Sequence, residues 1–333
     1  MRVSILGGGG FLGRKLAARL AQDGKLGGLE VSSLTLFDLA VPARPAAPFP
    51  ISAIGGDLVD LPPEVIPAGT DVVFHLAAVV SAQAEQDYDL GRRVNLRGTD
   101  AVVDACRRLV ASGGKAPRVV FASSVASFTG AQETVLADDA RQVPSNSYGA
   151  QKAAAELILA DASRRGFLDA VSIRLPTVIV RPGRPNRAAS SFFSAIVRDP
   201  LIGLQADLPV PDSFAAWVCS PRRAVDWLLH AATMDTSAMG LDRSVNPPGI
   251  CTTIAHLLQA LDEVKPGASR LVRRIEDKDI ASIVELWPPA FDAVRAQTLG
   301  FASHEPIIEV IRAFVEDDLE ATRSERGIAA PAG

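Results

Sequence analysis

The chain is short of residues on which several common chemistries depend. Its 333 residues hold three cysteines, Cys106, Cys219 and Cys251, an odd number at wide spacing. That pattern predicts no disulfide framework and fits a reducing, cytoplasmic setting. The four histidines (His75, His230, His256 and His304) are scattered without ligand spacing, so no metal site is expected. His75, inside an apolar stretch, reads as a satisfied buried histidine. No apolar run approaches the ~18 residues that a membrane helix needs. The opening MRVSILGGGGFLG is apolar too briefly for a signal peptide. A basic surplus is missing as well. Lys and Arg total 34 against 38 Asp and Glu, a net charge of -4, which argues against nucleic acid as the main partner. There is no GxSxG elbow, so an α/β-hydrolase is excluded. Arg14 and Lys15 stand where a Walker loop needs Lys and Ser or Thr.

What is present is apolar sequence in a regular rhythm. Hydrophobic residues make up 48% of the chain and mean hydropathy is +0.19, enough for a substantial core. Short apolar runs (2–6, 34–37, 51–54, 71–80, 118–123 and 170–175) alternate with helical patterns, of which the clearest cover about 90–111 and 148–165. Apolar strands alternating with helices predict an α/β fold, a Rossmann-like doubly wound parallel sheet. The segment 41–50, with four prolines, must be a loop. After Pro176 the rhythm breaks, and Pro, Gly and Arg crowd 181–187. Shorter helices follow, at about 188–198, 221–234, 252–264, 277–286 and 304–322. We expect a dinucleotide-binding domain over 1–178, to which a later segment near 215–250 returns. Residues 179–323 should be mainly a smaller, mixed C-terminal substrate-binding cap, packed by Trp217 and Trp227, and 324–333 a frayed tail.

The segment GGGGFLG (7–13) follows the first strand and opens a helix. Glycine lets the backbone turn sharply and approach a pyrophosphate, which then sits on the N–H groups of the helix N-terminus. Asp38 ends the second strand, where a carboxylate accepts hydrogen bonds from adenosine ribose hydroxyls and repels a 2′-phosphate. No arginine follows until Arg44, so NAD is expected rather than NADP. Asp57, in GGDL (55–58), follows the third strand, within reach of an adenine amino group.

One of the two tyrosines begins YGAQK (148–152). Helical spacing puts Tyr148 and Lys152 on one face. A free tyrosine has a pKa of ~10 and is a poor base at neutral pH. A neighbouring ammonium and a positively charged nicotinamide favour the phenolate, bringing the phenol into general-base range. Ser123 and Ser124 follow the strand RVVFA (118–122), at the carboxyl edge where open α/β sheets bind ligands. Either could hold a substrate hydroxyl.

With these residues on the page, the sequence resembles the extended short-chain dehydrogenases/reductases. The resemblance rests on GGGGFLG (7–13), Asp38, GGDL (55–58), FHLAA (74–78), RVNLRGT (93–99), FASSVASF (121–128), YGAQK (148–152) and RLPTVIVRPG (174–183). It chooses the GxxGxxG register, Gly7, Gly10 and Gly13. It implies Tyr148 as base, Lys152 as the ribose-binding group that lowers its pKa, Ser124 as the orienting hydroxyl, and Asn95 in a supporting or proton-relay position. It places Phe11, Leu12, Leu58, Leu76, Ala77 and Ala78 along NAD, with Pro176 and Thr177 beside the nicotinamide. Leu6 and Thr177 depart from the usual Thr and Asn. A homodimer formed through the helices near 90–111 and 148–165 is also implied.

Within that superfamily the chain resembles the D-erythronate dehydrogenases, through VVSAQAEQDYDLG (79–91), the stretch 163–192, SPRRAV (220–225) and VEDDL (315–319). The implied reaction is NAD-dependent oxidation of the 2-hydroxyl of a small sugar acid. Such a substrate needs a carboxylate clamp, and Arg is its natural bidentate partner. Arg181, Arg184, Asn186 and Arg187 crowd the loop beyond the nicotinamide strand, while Ser81, Ser190 and Ser191 could meet other hydroxyls. Arg174 reads instead as a strand residue with a structural partner. Two alternatives compete. A nucleotide-sugar epimerase shares the chemistry but needs room for a nucleoside diphosphate, and Phe128 stands where many epimerases have tyrosine. A non-catalytic NAD-sensing protein has no need for Tyr148 with Lys152.

Overall fold

The computed structural model describes residues 1–184, 190–303 and 305–328, without the side chain of Ser282. The central sheet has seven strands. Four come early: β1 (Arg2–Leu6), β2 (Ser33–Asp38), β3 (Ile51–Gly55) and β4 (Val72–His75). Then come β5 (Arg118–Ser124), β6 (Asp169–Leu175) and β9 (Ser244–Val245). Their spatial order is β9-β6-β5-β4-β1-β2-β3, every neighbouring pair parallel. A parallel strand needs a crossover; four of the six crossovers carry the helices α1 (Phe11–Asp23), α2 (Gly98–Ala111), α3 (Ser147–Arg164) and α5 (Pro221–Thr233), while those on either side of β3 have no α-helix. This is the doubly wound Rossmann-like arrangement. The reversal between β1 and β4 leaves a crevice at the carboxyl ends of the strands, where such sheets bind ligands.

Burial explains why these segments are strands. Ile5, Leu6, Leu36, Phe74, Val120 and Val171 are at most 1% exposed, with helices covering both sheet faces. One core lies under α1 and α5; another lies under α2 and α3. The cap has its own core around Phe193, Ile196, Val218, Leu257 and Ile311. It is built by α4 (Ser191–Leu201), α6 (Ile254–Val264), α7 (Ile307–Asp317) and a small sheet. In that sheet β8 (Ala215–Cys219) lies between the parallel β7 (Thr177–Val178) and the antiparallel β10 (Ile250–Thr253).

Several elements differ from the sequence-based expectation. The apolar run 71–80 is a strand only over Val72–His75; Leu76–Val80 leaves the sheet and borders the crevice. The helix expected over 90–111 contains one π-helical turn, Arg93–Arg97, ahead of α2. Such turns mark places where a helix is re-aimed, often at functional sites. Trp227 does not pack the cap. It is fully buried beneath the main sheet and donates its indole N–H to the Ala302 carbonyl at 3.0 Å. Its position on the inner face of α5, a helix that returns to the sheet, explains the difference.

Candidate active site

The glycine turn is shaped by contacts that no side chain could replace. Gly7 has φ +87°, and a Cβ on Gly13 would stand 2.1 Å from the Gly7 carbonyl oxygen. Glycine is therefore required at both positions. Gly7 and Gly8 donate to the Phe37 carbonyl at 2.8 and 2.9 Å, and Gly9 donates to Asp38 Oδ2 at 2.9 Å. The turn is thus tied to the end of β2. Gly10 caps α1 with no side-chain bond, leaving the first-turn N–H groups of Phe11 and Leu12 for an anion.

Beside the turn lies a cavity of about 410 Å³. Gly7, Gly10, Asp38 and Asp57 line it, and Leu58, Leu76, Ala77 and Ala78 supply apolar walls. This cradle fits the adenosine half of a dinucleotide: apolar walls for a base, a strand-end carboxylate for ribose, and open N–H groups for phosphate. Asp57 is already engaged. It accepts from Val59 N–H at 3.0 Å and pairs with Arg93 at 2.6 Å, so it shapes the wall as well as facing it.

A second cavity, about 210 Å³, opens between the carboxyl edge of the sheet and the cap. Ser124, Tyr148 and Lys152 line one side. Pro176, Thr177 and Arg181 line another, with Ser81, Ser190, Leu12 and Ala78 at the margins. Arg184 and Ser191 border a smaller neighbouring pocket instead, and Asn186 and Arg187 lie outside the described residues. The two serines after β5 part company. Ser123 is 2% exposed and donates to Glu156, whereas Ser124 lines the Tyr148 cavity, its Oγ accepting from Ala126 N–H at 3.1 Å.

Opposed influences act on the Tyr148 phenol. Burial pushes the phenol up to about 12; the Arg181 charge and the Ser124 hydrogen bond act against that shift. Lys152 lines the same cavity as Tyr148. It is 2% exposed, donates to the Ala122 carbonyl at 2.8 Å and sits 5.6 Å from the Tyr148 ring centre. Burial brings its own pKa down to about 7, opposed by the Glu156 carboxylate. Two residues on one helix face are near each other, but spacing does not say how much water each keeps. Arg181, twenty-nine positions beyond Lys152, adds a positive charge that opposes the shift.

Asn95 is 3% exposed, in the π-helical turn. It accepts from Val79 N–H at 2.9 Å and donates to Val79 O at 3.1 Å and Gln151 Oε1 at 2.7 Å. It thereby pins the loop after β4 to α3, one residue before Lys152. His75 bonds Thr99 Oγ1 at 3.0 Å, and burial brings its pKa down to about 3, so it is neutral. Arg174 has the structural partner expected of it, with Glu156 at 2.9 Å in an almost dry ion pair.

Sequence reasoning passed over two groups at this site. Trp287, from the C-terminal half, walls the Tyr148 cavity; no local motif marks it. Glu156 continues the Tyr148–Lys152 helix face by one more turn, a spacing that could have flagged it.

Comparison with known proteins agrees with the fold and the cofactor cradle. Residues 3–213 match the model of the NAD dependent epimerase/dehydratase family. A curated D-erythronate dehydrogenase of Cupriavidus necator is 44% identical over 95% of this chain and 98% of its own. That of Haemophilus influenzae is 36% identical over 96% and 100%. A crystal structure described as a nucleoside-diphosphate-sugar epimerase from Agrobacterium tumefaciens superposes with a TM-score of 0.91. It is 44% identical and covers 96% of this chain and 95% of its own.

Proposed function

We propose that this chain, which belongs to the NAD dependent epimerase/dehydratase family, oxidises the 2-hydroxyl of a small sugar acid, D-erythronate, to the 2-keto acid. The observation that carries the substrate class is Arg181. Its guanidinium borders the cavity that holds Tyr148 and Ser124, and its charge acts on the phenol. Its Nε donates to the Val178 carbonyl at 3.1 Å, and Ser194 Oγ accepts from its backbone N–H at 3.0 Å. The side chain is therefore held at Nε and the backbone at its N–H. A 2-hydroxy acid carries its carboxylate on the carbon next to the reacting one. An arginine near the base is where that carboxylate belongs.

The cofactor cradle fits NAD, which supplies a hydride acceptor when bound. The remaining work falls to this chain. Ser124 and Tyr148 hold the substrate hydroxyl between them. Tyr148 Oη takes its proton as the carbon–hydrogen bond breaks. Arg181 neutralises the carboxylate and favours the phenolate. Lys152, anchored on Ala122 O and 5.6 Å from the tyrosine ring centre, would meet the cofactor ribose. Asp38, fixed by Gly9 N–H, faces the adenosine ribose and disfavours a 2′-phosphate.

A second reading, nucleotide-sugar epimerisation, draws on the description of the Agrobacterium relative. The cavity argues against it. At about 210 Å³ it is smaller than the ~300–1,000 Å³ typical of drug-sized ligands, and nicotinamide must share it. The experiment is NADH formation at 340 nm across four- to six-carbon aldonates and uronates, with UDP-sugars tested for epimerisation. Turnover of D-erythronate with inert UDP-sugars supports the first reading; the reverse pattern supports the second.

The same reading includes a cytoplasmic homodimer. The described residues contain no helix long and apolar enough to cross a membrane, and all three cysteines are free. Leu157 on α3 is 71% exposed, an apolar side chain on the helix expected to meet a second copy. Light scattering on wild type and Leu157→Glu tests this: a dimer converted to monomer supports it, and a wild-type monomer refutes it.

A further inference from the structure

A pocket of about 100 Å³ lies beside the Tyr148 cavity and is ringed by arginines. Phe11 and Arg14 reach it from the first turn of α1, Arg181 and Arg184 from the segment after β7, and Ser194 and Arg198 from α4. None of the described residues lining it is acidic. Among the described residues Arg14 and Arg184 have no ion-pair partner, and Arg181 donates its Nε only to a carbonyl. Arg198 is 1% exposed. It pairs with Asp199 at 2.8 Å and donates Nη1 to the Arg181 carbonyl at 3.1 Å, while its Nη2 is buried without a partner. Arg14 and Arg184 are exposed and Arg181 is half-buried, whereas the buried Arg198 shares Asp199 with Arg326, so its unpartnered Nη2 is the group for which an anion would relieve a burial cost.

We infer that this pocket is a clamp for the cofactor's pyrophosphate, in which arginines of the cap meet the N-terminus of α1 across a bound dinucleotide. The placement identifies the anion. The carboxylate of a 2-hydroxy acid must stay beside the reacting carbon, in the Tyr148 cavity, and of the four arginines only Arg181 borders that cavity. The others border a separate pocket and are free to meet a different anion. The adenosine cavity includes Gly10, the Tyr148 cavity includes Leu12, and the arginine pocket includes Phe11 between them. A dinucleotide spanning the two larger cavities carries its two phosphate charges across that turn. The clamp gives binding of the cofactor a structural consequence. Arg184 and Arg198 belong to the cap and Arg14 to the sheet layer, so the bound pyrophosphate bridges the layers before the sugar acid arrives.

This inference rests on NAD binding alone, not on the identity of the sugar acid. The test is calorimetric binding of ADP-ribose and of adenosine to wild type, Arg14→Ala and Arg184→Ala. Each substitution should weaken ADP-ribose about 3- to 30-fold, the range for losing one charge-assisted contact at a partly solvated site. Adenosine affinity should stay unchanged, as should the KM for the sugar acid at saturating NAD. Wild-type affinity for ADP-ribose in both variants overturns the clamp. So does a rise in sugar-acid KM without loss of ADP-ribose, which would return these arginines to the substrate. Failure of wild type itself to bind ADP-ribose would overturn the NAD reading as well.

Discussion

Replacing Arg181 with methionine separates two duties that one side chain is asked to perform. The first is to bind the carboxylate. Losing a charged hydrogen-bonding partner costs about 1.5–3 kcal/mol, roughly 10- to 150-fold in sugar-acid KM. The second is to favour the phenolate. Burial pushes Tyr148 up to about 12, and the Arg181 charge is the largest influence bringing it down. A nearby positive charge favours the phenolate, so its removal should raise the phenol further. The sign follows directly. The base works deprotonated, so activity rises with pH through its pKa; with the charge gone, that rise moves to higher pH. The assay is NADH formation between pH 6 and 10, with kcat/KM fitted at each pH; an acid limb displaced upward lowers kcat/KM at every pH of that range. Arg181→Lys is the control that divides the effects. It keeps the charge and loses the planar fork, so KM should rise while the acid limb stays near its wild-type position. If the methionine variant keeps both the wild-type KM and the wild-type limb, Arg181 does neither job.

Tyr148→Phe should lower kcat at least ~100-fold, the lower end of a general-base contribution, while NADH still binds by fluorescence titration. Retained turnover would remove Tyr148 from its role. Asp38→Ala should reduce the preference for NAD over NADP in kcat/KM, because the carboxylate that repels a 2′-phosphate is gone; an unchanged ratio rejects that assignment. Glu156→Ala should destabilise the fold by about 3–5 kcal/mol in urea titrations, because it leaves Arg174 buried without its partner. Glu156→Gln should cost less, since an amide oxygen can still accept from Ser123, and equal losses in both variants would deny the ion pair its importance.

Much of this molecule is legible in its sequence where local rules act alone. The glycines at 7, 10 and 13 mark a turn because backbone meets backbone there, and only glycine survives a 2.1 Å approach. The strands up to β6 are legible because sheets buried on both faces must be apolar throughout. Tyr148 and Lys152 share a helix face, and the structure puts both on one cavity. What escapes is what the tertiary structure decides. The pKa direction of Tyr148 depends on how much protein surrounds it. Arg198 has no motif around it to mark it, yet is 1% exposed. Trp287 reaches the cavity from more than a hundred residues away, with no spacing to announce it. Trp227 joins the main core because α5 returns to the sheet after the chain has begun the cap.

The most direct measurement follows a single hydrogen. D-erythronate deuterated at the second carbon is incubated with NAD and enzyme, and the reduced cofactor is examined by mass spectrometry. The account predicts one deuterium on the NADH and a 2-keto acid as the other product. NADH formed without deuterium, or no NADH from this acid at any pH, would contradict it.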